Sequence, residues 1–322
     1  MADSIIYLDH SATTPLHPQV LEAMMPYLTE HYGNPNSLHR LGQQARSAVE
    51  AARHTVARLL NAGSPREVIF TGGGTESDNL FIRGVVAARQ SEGTHLITSA
   101  IEHEAVLATM RDLETAHGFS LTVLPVDAEG RVRVDDLVAA LRPDTTLVSI
   151  MAANNEVGTL QPIAEIGAVL REHPASFHVD AVQAGGYLPI DVQAWGVDGL
   201  SLSAHKLHGP KGVGILYLRR GTPFHSPMSG GGQEQGLRSG TQNVAYIVGF
   251  AAALKLAQED RALKNERLRA LRDRLVEGVR ARVPAARLTG HPTERLPGHA
   301  SFTLGEGLEA DIATLLTEAE SL

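Results

Sequence analysis

The sequence predicts an α/β fold in which a mainly parallel sheet of seven strands lies between helices, with a small α+β domain after it. Short runs of β-branched residues alternate with longer helical patterns, which is typical of parallel strands joined by helices. Hydrophobic residues make up 43% of the chain and charged residues 20%, as in soluble proteins with a sizeable core. A length of 322 residues is enough for one large domain and a smaller one.

Several short apolar runs have the composition of buried strands, and we expect strands at residues 68–71, 95–99, 121–126, 146–151, 177–180, 199–203 and 214–219. Alanine-rich or amphipathic segments lie between most of them, and we expect helices at residues 37–61, 76–90, 102–118 and 161–173. Ligands of such sheets bind at the carboxyl ends of the strands. The residues that follow each strand are therefore the candidates for a site.

The character of the sequence changes after Gly249. Residues 250–283 predict one long helix, apolar at first and then rich in Arg and Glu, which Pro284 ends. The residues that follow are loop-like, with a short strand candidate at 299–304. We therefore expect a large domain at 16–249 and a small domain formed by 1–15 and 250–322, with the C-terminal part of the small domain truncated.

Composition argues against several classes of function. A formal net charge of −8 and a pI near 6.0 argue against a nucleic-acid partner or an anionic membrane surface. No apolar stretch approaches the roughly 18 residues that span a bilayer, and the first residues lack a signal-peptide pattern, so we expect a cytoplasmic protein. The sequence contains no cysteine, which excludes thiol nucleophiles within these residues. His205 and His208 have no third ligand nearby, so we expect no metal site.

The most informative segment is 203–212, Ser-Ala-His-Lys-Leu-His-Gly-Pro-Lys-Gly, which places Lys206 directly after the apolar run 197–202. Burial at the end of a strand lowers the pKa of a lysine and makes its amine a usable nucleophile. A Schiff base with pyridoxal phosphate (PLP) requires such an amine. An ordinary surface lysine is the alternative, and the residues at the other strand ends decide against it.

Polar residues after the first and fifth predicted strands suit the two ends of PLP. The glycine-rich segment 71–79 opens a helix, whose free N–H groups and dipole can hold a phosphate against Gly74 and Thr75. Asp180 ends its strand and can hydrogen-bond a protonated ring nitrogen, while Gln183 can reach the ring hydroxyl. A plain glycine turn and a helix cap at Asp180 are the alternatives.

Three further segments add polar groups. Residues 154–158, Asn-Asn-Glu-Val-Gly, offer a side-chain amide to the ring hydroxyl and to a substrate carboxylate, although turn chemistry alone also explains them. His103 can stack on the ring and act as acid or base, or it is a solvated histidine at a helix start. Loop 230–241 ends in Arg-Ser-Gly-Thr, and we expect these residues to contact another anion and to reach a neighbouring subunit.

Together these segments resemble the PLP enzymes of fold type I known as aminotransferase class V. Within that family they resemble the cysteine desulfurases that serve iron–sulfur cluster assembly and thiolation. The matching segments run in the family's order over nearly the whole chain, at residues 7–15, 33–37, 71–79, 102–103, 154–158, 178–183, 203–212 and 238–241. Each segment alone is only modestly specific for the family, whereas the complete set is highly specific.

The resemblance implies a role for each residue. Lys206 is the lysine that binds the cofactor, His103 the ring-stacking acid–base residue and Asp180 the partner of the pyridine nitrogen. Asn155 and Gln183 lie on the ring-hydroxyl side, and the phosphate contacts are Gly74, Thr75, Ser203, His205 and, from the second subunit of a homodimer, Thr241. Such enzymes convert L-cysteine or a related amino acid into L-alanine and a persulfide, whose sulfur passes to an acceptor or scaffold protein.

The chain departs from the family at sulfur transfer. The family carries its persulfide on a cysteine in a loop after region 299–304 and binds the substrate carboxylate with a later arginine, whereas residues 316–322 do not match that continuation. A desulfurase whose nucleophile is absent from these residues is the main hypothesis. Another class V reaction, an aminotransferase or lyase step, and a catalytically inactive PLP-fold scaffold are the alternatives.

Overall fold

The computed structural model describes residues 6–304. Their helices and strands follow one another as α1 (Pro18–Thr29), α2 (Arg40–Leu59), β1 (Val68–Thr71), α3 (Gly74–Arg89), β2 (His95–Ser99), α4 (Glu104–His117), β3 (Ser120–Leu124), α5 (Val134–Ala140), β4 (Thr145–Ser149), α6 (Ile163–Leu170), β5 (Ser176–Asp180), α7 (Val192–Trp195), β6 (Gly199–Ser203), β7 (Gly214–Leu218), α8 (Val244–Glu259), α9 (Arg261–Arg282), β8 (Arg287–Leu288) and β9 (Phe302–Thr303). The predicted α/β class is confirmed.

One sheet contains seven strands in the order β1-β7-β6-β5-β4-β2-β3. Neighbouring strands are parallel except for β7, which runs antiparallel to both β1 and β6. Gly214 at the start of β7 pairs with Thr71 on one side and with Ser203 on the other. The carboxyl ends of β1, β2, β4, β5 and β6 therefore lie along the same edge, where the sequence predicts the site.

Helices cover both faces of this sheet because successive strand residues point to opposite sides. Leu96, Leu147 and Leu216 share a buried cluster with the inner faces of α3 and α4. Their chain neighbours Ile97 and Val148 belong to a second cluster, which contains the buried residues of α1, α2 and α8. The central strands are buried at every residue because helices cover both faces of the sheet.

The predicted single helix over 250–283 is wrong, because the chain forms two helices that meet at Asp260. Helix α8 begins earlier, at Val244, where the Asn243 side chain accepts a hydrogen bond from the N–H of Tyr246. Around the junction, the Gln258 side chain donates to the carbonyl oxygens of Gly185 and Leu188. The break therefore sits where the chain packs on the turn after β5.

The proposed domain boundary at Gly249 falls inside α8, whose buried residues belong to the main core. A side chain at Gly249 would place its Cβ 2.6 Å from the sulfur of Met24 on α1. Helix α9 buries far fewer of its residues than α8 does. The division into two domains stays a proposal, and Asp260 is a better place for it than Gly249.

The described part of the N-terminal arm (residues 6–15) packs on the loop that carries Lys206. The N–H and hydroxyl of Thr14 both donate to the carbonyl oxygen of His205, at 2.9 and 2.8 Å. The N–H of His208 donates to the Thr14 hydroxyl. These contacts are with the predicted large domain, whereas the sequence assigned the arm to the small one.

A second, two-stranded sheet pairs β8 with β9 antiparallel, and β9 lies within the predicted strand 299–304. The segment between them returns to the main sheet's loops, where the N–H of Leu160 donates to the carbonyl of Glu294 and that of Leu296 to the carbonyl of Gly158. The predictions about residues 305–322, including the mismatch at 316–322, lie outside the described residues.

A buried ion pair anchors the glycine-rich loop 230–241 to β1. The guanidinium of Arg53 binds both carboxylate oxygens of Glu234 at 2.6 and 3.0 Å, and their side chains are 5% and 1% exposed. The same carboxylate accepts the N–H of Phe70 at 2.9 Å, and Arg53 also donates to the carbonyl of Val68. Removing Glu234 would leave the buried Arg53 with only the half-exposed Glu50 as a charged partner.

We therefore expect Glu234→Ala to lower the free energy of unfolding by about 3–5 kcal/mol. Glu50→Ala is the matched control, because Glu50 also contacts Arg53 but is half exposed, and it should cost less than about 1 kcal/mol. Urea denaturation of both variants measures the difference. Equal losses would show that the Glu234 pair is not a structural anchor.

Candidate active site

Side chains from five strand ends line one cavity of about 460 Å³. That volume falls within the range of about 300–1,000 Å³ that is usual for small-molecule sites. The lining includes most residues that the sequence singled out, namely Gly74, Thr75, His103, Asn155, Asp180, Gln183, Ser203, His205 and Lys206. The common edge of the sheet brings these segments together although they are far apart in the chain.

Lys206 lies in the turn of 3-10 helix that follows β6. Its Nζ donates hydrogen bonds to the carbonyl oxygens of Ala12, at 2.8 Å, and of Ser11 in the N-terminal arm. Burial lowers the pKa of Lys206, and attraction to Asp180 and other acids partly opposes that shift. Burial therefore increases the fraction of Lys206 that is a free amine, the form in which a lysine attacks a carbonyl group.

Asp180 is the last residue of β5 and is 6% exposed. Its Oδ1 accepts the N–H of Val182 at 2.9 Å, so the carboxylate also braces the turn that follows the strand. Burial raises the pKa of Asp180, while this hydrogen bond and the nearby His103 and Lys206 lower it. The arrangement places two groups in one cavity. The carboxylate suits a cationic ring nitrogen, and the amine suits a carbonyl group that forms an imine.

Helix α3 begins at Gly74 beside the same cavity. A Cβ at Gly74 would lie 2.9 Å from Cγ2 of Val182 and 3.5 Å from Cβ of Ser203, so only glycine leaves this cradle open. Thr75 stands next in the first turn, where N–H groups have no partner within the helix and attract anions. The site thus has an amine and a carboxylate together with an anion cradle.

His103 caps helix α4, and its Nδ1 accepts the N–H of Ala105 at 3.1 Å. A neutral His103 in this role carries its proton on Nε2. The residue lines the cavity and is exposed to solvent. The cap and the proposed acid–base role are compatible, because each uses a different ring nitrogen.

The two asparagines of segment 154–158 have different functions. The Asn154 side chain is buried and shapes the turn, because its Oδ1 accepts the N–H groups of Glu156 and Val157 and its Nδ2 donates to the carbonyl of Ile101. Asn155 lines the cavity instead, with its Nδ2 2.5 Å from a carboxylate oxygen of Glu156. Of the two amides, that of Asn155 is available to a ligand.

Gln183 and His205 contact the N-terminal arm. Gln183 Nε2 donates to the carbonyl of Ser11 at 2.9 Å, and Nδ1 of His205 lies 3.1 Å from the hydroxyl of Thr13. Burial and the neighbouring lysines lower the pKa of His205. Both residues line the cavity, and their roles toward a cofactor stay predictions.

Thr241 is exposed in the loop before α8 and is absent from the residues that line this cavity. Its predicted contact is with a second subunit, so the contact stays a prediction. The sequence reasoning also missed lining residues, above all the arm residues Ser11 and Ala12 and the buried Asp78. The arm belongs to a segment that resembles the family, but no local pattern shows where it packs.

Among residues 6–304, no group of three or more His, Asp or Glu side chains could hold a metal ion. No helix in the described part of the chain is long and apolar enough to cross a membrane.

The residues present fit PLP. A half-buried lysine amine can bind its carbonyl carbon, the Asp180 carboxylate can pair with a ring N–H, and the start of α3 can hold a phosphate. Glycine at position 74 lets the start of α3 approach Val182 and Ser203 closely. No other residue type at Lys206 would provide a nucleophilic amine.

Comparisons with known proteins agree with this chemistry. The family described as aminotransferase class-V matches residues 6–321. The protein named cysteine desulfurase IscS from Dictyoglomus turgidum is 50% identical over 88% of this chain and 72% of its own length. Among solved structures, a NifS-like protein is 42% identical with a TM-score of 0.91, over 94% of this chain and 82% of that one.

A second solved structure, titled SspA in complex with cysteine, is 43% identical with a TM-score of 0.75. It covers 78% of this chain and 72% of that one. The match to the family spans nearly all of the chain, and the relatives are similar over most of their own length. The chain therefore belongs to the aminotransferase class-V family and, within it, to the cysteine desulfurases.

Proposed function

We propose that this chain binds PLP through Lys206 and acts on L-cysteine, releasing its sulfur and leaving L-alanine. One observation carries the proposal: the Lys206 amine, the Asp180 carboxylate and the open start of α3 line one cavity. The relatives support it, since one is named a cysteine desulfurase and another was solved with cysteine. The same observation supports PLP as the cofactor.

In this proposal different cavity residues would hold different parts of the cofactor. Lys206 holds the carbonyl carbon, Asp180 the ring nitrogen, and Asn155 and Gln183 the ring hydroxyl. Gly74, Thr75, Ser203 and His205 hold the phosphate. When bound in this way, PLP withdraws electrons from the Cα of an attached amino acid and so weakens the bonds around it.

The residues of the chain then move protons. Once a substrate has taken its place, Lys206 would be an amine within the cavity that can accept the Cα proton at Nζ, and its lowered pKa increases the fraction that is free to do so. The negative charge of Asp180 would keep the ring nitrogen of the cofactor protonated. Nε2 of His103 serves as the second acid–base group.

Sulfur leaves by attack of a thiolate on the sulfur of the substrate. A new S–S bond forms, the C–S bond breaks, and Cβ takes the electron pair together with a proton to become the methyl group of alanine. The attacking sulfur and the substrate sulfur each lose one electron and Cβ gains two, so no further oxidant is needed. These 322 residues contain no cysteine, so a thiol from another molecule is the attacking group when these residues react alone.

A homodimer in the cytoplasm completes the proposal. The Arg238–Thr241 end of loop 230–241 lies beside the start of α3, because Arg238 binds both carboxylate oxygens of Glu76 in the first turn of that helix. Thr241 is exposed beyond that contact. A second copy that receives Thr241 into its own cavity would account for that exposure.

Turnover of L-cysteine tests the proposal. We expect the PLP-loaded protein to form L-alanine from L-cysteine only when a thiol such as dithiothreitol is added, with one sulfide released per alanine. Quantification of alanine, sulfide and keto acids distinguishes the outcomes. Keto acid without sulfide would indicate an aminotransferase reaction, keto acid with sulfide and no alanine would indicate a lyase reaction, and bound PLP without turnover would indicate an inactive scaffold.

A further inference from the structure

Asp78 is a buried acid on α3 that none of the steps above uses. It is 1% exposed and lines the cavity together with Asp180. Its Oδ1 has no hydrogen-bond partner among the described residues. An ionised carboxylate in such a place is costly, because burial removes it from water without a compensating cation.

The basic group nearest to Asp78 is His178, whose Nε2 lies 3.6 Å from Asp78 Oδ1. Both ring nitrogens of His178 already face serine hydroxyls, Nδ1 toward Ser149 at 2.8 Å and Nε2 toward Ser201 at 3.0 Å. The ring is fully buried and stacks on Phe81 at a centroid distance of 4.9 Å. Burial lowers the pKa of His178 to about 3, so it stays neutral near pH 7 and gives Asp78 no counter-charge.

The other acids around Asp78 also disfavour its ionised form. Asp180 and Glu102 are acids, and both raise the pKa of Asp78 in addition to the effect of burial. Lys206 and His103 instead lie near Asp180 and lower its pKa. Among these buried acids, Asp180 is therefore the one with positive partners.

Asp78 is nevertheless connected to Asp180 through neighbouring side chains. Ser201, whose hydroxyl lies 3.0 Å from the same Nε2 of His178 that faces Asp78, pairs directly with Asp180 across the β5–β6 ladder. His178 in turn precedes Asp180 by two residues on the same strand. A neutral carboxyl at Asp78 can donate its O–H into this network, and an ionised one cannot.

We propose that Asp78 is a positioning residue that acts as a neutral acid, bracing β5 and β6 through Ser201 and His178 so that Asp180 carries the negative charge for the cofactor's ring nitrogen. The inference rests on the proposed PLP site. Asparagine has the shape of a protonated aspartate and can also donate a hydrogen bond. Asparagine should therefore replace Asp78 and should fail to replace Asp180.

PLP affinity in a set of variants tests the positioning role. We expect Asp78→Ala to raise the Kd for PLP about tenfold, because the His178–Ser201 pair loses its buried carboxyl neighbour. Asp78→Asn should restore the Kd to within about threefold of the parent, whereas Asp180→Asn should remain as weak as Asp180→Ala. An unchanged Kd in Asp78→Ala, or a Kd in Asp78→Asn as high as in Asp78→Ala, would overturn the proposal.

Infrared spectroscopy tests the protonation state without relying on turnover or on PLP. At pH 7 the purified protein should show the carbonyl band of un-ionised carboxyl groups, and Asp78→Asn should remove part of that band. Glu102→Gln should remove another part, since burial raises the pKa of Glu102 to about 8, and Asp180→Asn should leave the band intact. A band unchanged by Asp78→Asn would overturn the inference.

The two tests separate this inference from the function on which it rests. If the parent protein does not bind PLP, the proposed function fails, and the infrared band still reports whether Asp78 is neutral. If Asp78→Ala does not fold, Asp78→Asn and the parent still provide both measurements.

Discussion

Lys206→Ala is expected to abolish covalent retention of PLP. The parent protein, loaded with PLP and dialysed, should keep about one cofactor per chain and show the near-visible absorbance of a lysine-bound cofactor. Alanine has no amine, and the contacts to the ring and phosphate hold PLP only reversibly, so dialysis should remove the cofactor and the absorbance together. Released PLP, measured after denaturation, gives the retained amount.

Lys255→Ala is the matched control for this experiment, because Lys255 lies on α8 with a half-exposed side chain that contacts Glu259. It should retain PLP as the parent does. If Lys206→Ala kept the cofactor and its absorbance through dialysis, another amine would be the attachment site and the assignment of the cavity would be wrong.

His103→Asn is expected to lower the rate of alanine formation by about 10²–10⁴-fold while PLP retention stays intact. Asparagine is a good helix N-cap, so the hydrogen bond from the N–H of Ala105 has a replacement acceptor and α4 keeps its start. The amide cannot exchange a proton near neutral pH, so only acid–base chemistry is lost. Steady-state kinetics with L-cysteine and a thiol measure kcat.

His117→Asn at the other end of α4 is the control, since His117 is about half exposed and is absent from the cavity lining. Its kcat should equal that of the parent. An unchanged kcat in His103→Asn would remove His103 from the chemistry and leave it as a helix cap.

The sequence predicted the sheet and most of the cavity because both depend on local patterns. Runs such as 68–71, 95–99 and 199–203 have apolar residues at their centres, and the structure gives them these same bounds. Parallel strands put their carboxyl ends on one edge, so Gly74, Asp180 and Lys206 could be placed together without knowledge of the strand order. Strands with mixed patterns shifted by a residue or more, as when 121–126 became Ser120–Leu124.

Features that depend on packing between distant segments escaped prediction. The break at Asp260 depends on contacts with the turn after β5, and the position of the arm depends on Thr14 meeting the carbonyl of His205. Asp78 stands in a glycine-rich segment where it is indistinguishable from a solvated helix residue. Its burial follows only from the packing of α3 against β5 and β6, so its role could not be inferred from local spacing.

The central claim is that the Lys206 amine binds the cofactor. The most direct measurement is mass spectrometry of the PLP-loaded protein after borohydride reduction and proteolysis, because reduction makes the bond permanent. We predict one reduced PLP adduct, located on the peptide that contains Lys206. An adduct on any other lysine, or no adduct in a protein that has been saturated with PLP, would contradict the account.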